Sequence, residues 1–198
     1  GGLKQAVARR LGRIRQYQGL VAWPYHNLYL GLAYWFDVKP GTMELELVHS
    51  PDGSDWRREA KREMFVGLGP PGSPEAGMAA FPIDNGPIEM GDETWIYYTG
   101  YPETHNADRY SFHPSIMLRA LKRDRWVGYE ADDHEGELLT VPIEWNGQGV
   151  AFNVRIESNG EVTIQVEDAE GRPLAGHERG NYLPLTGPLD SLNAPMVP

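Results

Sequence analysis

Two stretches of this sequence run through the same order of short segments, and that repetition limits the fold more than any other feature. The first set is Leu20–Tyr25, Leu28–Asp37, Met43–Ser50 and Trp56–Arg58. The second is Pro82–Met90, Thr94–Thr99, Ser115–Lys122 and Trp126–Tyr129. In each, a short strand leads through a tight turn into an aromatic strand. A loop then leads to an alternating strand, and a turn holding Asp and Trp leads to a short fourth one. The 23 Gly and 16 Pro lie between these runs, as turn residues do in all-β proteins. Four antiparallel strands repeated at this length form the unit of a β-propeller. A sandwich also has short strands but does not need matched quartets. Helix signals are scarce: Leu3–Arg15 reads either as a short helix or as a strand.

The texture changes after Glu130. Ala131–Glu137, "ADDHEGE", is an acidic, turn-rich link. "LLTVPIEW", "GVAFNVRIE" and "EVTIQVEDAEG" follow, alternating and separated by Asn146-Gly147 and Asn159-Gly160. Asn-Gly between alternating runs is a strong hairpin signal. From Leu183 to Pro198 periodicity fades. The expected architecture is therefore all-β: about two four-stranded antiparallel blades of a partial β-propeller over residues 1–130, then a small, incomplete β-sandwich over 131–198.

Composition narrows the function classes. Of 198 residues, 40% are hydrophobic and 11% aromatic, enough for a packed core. The net charge of -10 argues against a nucleic-acid partner, which calls for basic patches. No run approaches the ~18 apolar residues of a membrane-spanning helix. There are no cysteines, which removes disulfides and thiolate chemistry and suits a cytosolic or a secreted bacterial protein alike. A secreted or periplasmic setting is expected ahead of a cytoplasmic one.

"YHNLYLGLAYWFD", "MELELVHSPDGSDW", "GPIEMGDETWIYYTG", "LRALKRDRWVGYEADDHEGELLTVPI" and "VEDAEGRPLAGH" together carry a family resemblance. Leu20 to His177 resembles the C-terminal part of five-bladed-propeller glycoside hydrolases of the family 32 and 43 type, which often carry a trailing β-sandwich. The S-x-D-G-x-x-W element (Ser50, Asp52, Gly53, Trp56) marks blade architecture more than reaction. The resemblance implies a glycosidase acting on oligo- or polysaccharide, or a binding module that holds glycan without cleaving it. It also implies that the early blades, which carry the catalytic carboxylates of such enzymes, precede Gly1. A full five-bladed propeller needs about 250–300 residues. Missing blades would otherwise be supplied by an oligomer.

In a propeller the innermost strands line a central funnel, which would place Trp23–Asn27 and Phe81–Gly86 there and raise the loop Gly100–Asn106 toward its mouth. Glycoside hydrolysis needs two carboxyl groups across the sugar. Asp84 is the best single carboxylate, either as a base or hydroxyl acceptor or as an Asx turn beside Asn85-Gly86. Glu103 and His105 complete the catalytic candidates, one an acid in a loop, the other a donor to a sugar oxygen. Tyr25, His26, Asn85 and Tyr101 are the candidate sugar-binding residues, since an aromatic ring can stack on the C–H face of a sugar. No metal or other cofactor is expected. The spacing His105, Asp108, His113 suits no single face, and "DDHEGE" lacks the positions of a calcium loop.

Overall fold

The computed structural model describes residues 14–58, 63–83, 86–108, 110–147 and 149–197. The fold is all-β. Among the described residues the one helical element is a single 3-10 turn, Arg179–Asn181, and no helix is long and apolar enough to cross a membrane. The chain divides into two compact units: Gly1–Met90 with Thr94–Ala120, and Gly91–Glu93 with Leu121–Pro198.

The first unit is built on an eight-stranded sheet. Its first four strands are β1 (Arg15–Tyr25), β2 (Leu28–Asp37), β3 (Thr42–Ser50) and β4 (Arg57–Arg58), an antiparallel meander in the order the first quartet implied. β2 reads as a nearly unbroken apolar run because it is enclosed on both faces: Leu30, Gly31, Leu32 and Ala33 are all buried. Gly31 keeps the crossing of β1 and β2 close: a Cβ there would stand 2.7 Å from Leu20 Cδ1 and 3.1 Å from the Val21 carbonyl oxygen, so Leu20 would have to move. The Ser50–Trp56 element closes on itself. Ser50 Oγ accepts the Gly53 N–H at 2.9 Å, and Asp52 Oδ1 accepts those of Ser54 and Asp55 at 2.8 Å each. These backbone bonds, led by that from Asp55, hold the Asp52 carboxyl below its usual range.

The second quartet forms in part. β6 (Ile88–Met90), β7 (Glu93–Tyr101) and β8 (Ser115–Lys122) lie where the sequence put strands, while Trp126–Tyr129 is not a strand. The quartets are also not separate sheets. A short strand that the sequence pattern does not set apart, β5 (Met78–Ala80), pairs with β3 at Met43↔Met78 and with β7 from Met78↔Tyr101 to Ala80↔Thr99. Met78, Ala79 and Ala80 are all buried, so small and flexible side chains let β5 enter between the two halves. β7 alternates as a half-buried strand should: Thr94, Ile96, Tyr98 and Gly100 are buried and the residues between them are half-buried, apart from exposed Glu93.

The second unit contains two small antiparallel pairs. β9 (Ala151–Ile156) pairs with β12 (Leu189–Pro195), and β10 (Glu161–Val162) with β11 (Leu185–Thr186). Neither Asn-Gly step joins paired strands. The turn at Asn159-Gly160 does close, Gly160 N–H bonding Glu157 O at 2.9 Å, but each flanking strand takes its partner from the stretch after Leu183 that showed little periodicity. Leu138–Trp145 forms no strand; Leu138, Leu139, Val141 and Ile143 are between 61% and 78% exposed.

Candidate functional site

The pairing register fixes where the expected site residues fall in the first unit. Tyr25 pairs with Leu28 at one end of β2. Phe36, near the other end, pairs with Met43, which pairs with Met78, which pairs with Tyr101. Leu28 and Phe36 are separated by about 26 Å at roughly 3.3 Å per strand residue. The sheet thus brings Tyr101 and the loop after it to one end and leaves Tyr25 and His26 at the other. Tyr25 and His26 do meet each other: their rings lie 4.5 Å apart, edge to face, and His26 takes a φ of +50° in the two-residue β1–β2 turn. Asp84 and Asn85 lie outside the described residues. Their neighbours Pro82, Ile83 and Gly86 pack against Val21, Trp23 and Leu32 without room for a water molecule between them.

Tyr101 opens the more informative end. Its ring belongs to a row that crosses the sheet: Tyr34 to Phe81 at 5.8 Å, Phe81 to Tyr101 at 6.4 Å, Tyr101 to Phe112 at 5.7 Å, each edge to face. Beneath the row sit Phe36, Met43, Met78 and Ala80, all buried. Phe81 is 49% exposed and holds a φ of +48°, a conformation that costs a bulky residue of order 1–3 kcal/mol. Such strain is found where surrounding structure over-determines a residue, and here it turns a large apolar ring toward solvent.

The loop after β7 is seated on two glycines. His105 donates its backbone N–H to Gly41 O at 2.7 Å, and Gly77 donates to Tyr101 O at 2.9 Å. A Cβ on Gly77 would stand 2.1 Å from the carbonyl oxygen of Glu103, so the loop reaches its position because residue 77 has no side chain. His105 turns its ring to Phe36, 4.8 Å away. Glu103 does not pair with His105. Its carboxylate lies 2.5 Å from His113 Nδ1 and also accepts the His113 backbone N–H at 3.1 Å. The hydrogen bond from His113 holds the Glu103 carboxyl below its usual range, and the same bond raises the imidazole.

Chemically, the end of the sheet offers half-exposed aromatic faces with an ionised carboxylate and an imidazole beside them. The sequence pointed to Tyr101, Glu103 and His105. It did not reveal Tyr34, Phe81 and Phe112 as one row, because their proximity depends on β5 entering the sheet. His113 was visible only as part of a metal-like spacing. Among the described residues no group of three potential metal ligands gathers.

No protein-family model matches the chain, and no curated protein sequence does. A solved structure described as a complex of BT0996 with RGII holds a polypeptide similar over 57% of this chain and 34% of its own length, at 14% identity and a TM-score of 0.44. This chain thus spans about a third of that one, and at such a likeness neither fold nor function carries over.

Proposed function

We propose that this chain is part of a glycoside hydrolase-like protein and holds oligo- or polysaccharide along the aromatic row Tyr34–Phe81–Tyr101–Phe112. The observation that carries the reading is Phe81, a half-exposed ring in a strained backbone conformation, flanked edge to face by two tyrosines. Sugar rings present an apolar C–H face that an exposed aromatic can cover, while their hydroxyls need hydrogen-bonding groups at the margin. Tyr101 and, in the loop after β7, His105 supply that margin. Tyr25 and His26 belong to a separate contact at the far end of the strands. Hydrolysis would need two carboxyl groups about 5 Å or ~6.5–9.5 Å apart; Asp84, on its Asp-Asn-Gly step, is the residue proposed for one of them. Binding alone needs no such pair and is the function the row supports best.

A glycan array followed by calorimetry with arabinohexaose, xylohexaose and a levan hexamer tests the reading. Binding is expected, weakened about tenfold by Phe81→Ala, roughly the worth of one aromatic contact. Absence of binding to every glycan on the array, or wild-type affinity in Phe81→Ala, would refute it. Reducing ends released by the wild-type chain but not by Asp84→Asn would extend the function from binding to hydrolysis.

A further inference from the structure

Glu103 makes two contacts with one residue. Its Oε1 lies 2.5 Å from His113 Nδ1, and its Oε2 accepts the His113 N–H at 3.1 Å. His113 directly follows Phe112, whose ring ends the aromatic row against Tyr101. On its other side the backbone of Glu103 rests on Gly77. The carboxylate therefore ties the segment carrying Phe112 to a point fixed by the sheet. With both oxygens engaged by His113, it has its partner already and does not face a reacting group.

We infer that Glu103 is a positioning residue for the glycan platform: through His113 it holds Phe112 in the aromatic row. The inference rests on reading that row as the glycan site. Around the pair, Asp108 Oδ1 accepts the Tyr110 N–H and Ser111 Oγ donates to Asp108 O. His105 faces Phe36, and Arg15 approaches Asp37 at 3.9 Å beside the β2–β3 turn, which also carries Lys39. None of these takes the place of either contact from Glu103 to His113. Both members of the pair are charged between the depressed Glu103 titration and the raised His113 titration. The clamp is strongest in that window. It weakens as pH falls and Glu103 takes a proton, and as pH rises above the ordinary histidine range and His113 loses one.

The test is affinity for the tightest-binding hexaose as a function of pH, in the full chain and three variants, with circular dichroism to confirm folding. Glu103→Ala should lose about fivefold at neutral pH, near the worth of one hydrogen bond. Glu103→Gln, which can still bond His113, should bind close to wild type at neutral pH but without the alkaline decline. Phe81→Ala should lose about tenfold at every pH. Loss in Phe81→Ala with no effect of Glu103→Ala, or identical pH profiles for wild type and Glu103→Gln, overturns the positioning role and leaves the glycan site standing. Wild-type affinity in Phe81→Ala removes the glycan site and the inference together. If Glu103→Ala does not fold, the pH profiles of wild type and Glu103→Gln decide alone.

Discussion

At the scale of single residues, the strongest constraint in the first unit is an acid in the middle of an apolar strand. Glu46 is 1% exposed. It accepts the indole N–H of Trp35 and the Arg58 Nε–H, the latter at 2.7 Å, and the Arg58 guanidinium lies 4.5 Å over the Trp35 ring. Tyr17 closes the stack, 4.1 Å from Trp35. "MELELV" shows that Glu46 lies on a strand, and alternation assigns it to one face, but the partners that make its burial tolerable come from β2 and β4. Glu46→Ala should lower stability by about 2–3 kcal/mol in urea unfolding, because it leaves Arg58 and the Trp35 N–H without their acceptor. A loss under about 0.5 kcal/mol would mean that the carboxylate is not their main partner. The same limit applies to Glu103 and His105. Their loop and their chemistry are readable in the sequence, but the partner of Glu103 is a histidine ten residues on, and no local pattern pairs the two.

At the scale of elements, the loop Gly100–Asn106 depends on two glycines remote from it in sequence, Gly41 in the β2–β3 turn and Gly77 just before β5. Gly77→Ala puts a methyl into the Glu103 carbonyl, a backbone obstacle that cannot rotate away. It should cost about 2–3 kcal/mol by overpacking, while Gly128→Ala, where nothing lies within 4 Å, should stay within about 0.5 kcal/mol. Equal effects in urea unfolding would refute the close approach. β2 and β8 could be bounded from sequence because turn residues flank them and their apolar patterns are long. β5 could not: three small or flexible residues in a Gly- and Pro-rich stretch carry no period, and only pairing on both sides makes them a strand. Leu138–Trp145 shows the reverse, since alternation promises a strand there and no partner meets it among the described residues.

At the scale of the molecule, two compact units imply two cooperative transitions. In the second unit Asp190 receives Lys122 at 2.7 Å and Arg125 at 2.6 Å, and Arg125 also donates to Asn153 at 2.7 Å. These bonds join the end of β8 and the residues just after it to β9 and β12. Asp190→Ala should lower the midpoint of one calorimetric transition and leave the other in place; a single transition that moves as a whole would show that the units unfold together. The all-β class was legible at this scale because Gly, Pro and short aromatic runs leave little else. The way the quartets connect was not, since sequence spacing says nothing of which edges meet.

The sequence by itself determined the strands that carry their own punctuation, the turn chemistry of Ser50–Trp56, and the loop that bears Glu103 and His105. Those features depend on neighbours within a few residues, where propensity and side-chain hydrogen bonds act. The tertiary structure alone decided that β5 links the two halves of the sheet, that Tyr34, Phe81, Tyr101 and Phe112 align, and that Glu103 meets His113. Each of those needs chain segments far apart in sequence to close loops and share one buried surface, and no local pattern encodes which segments will do so.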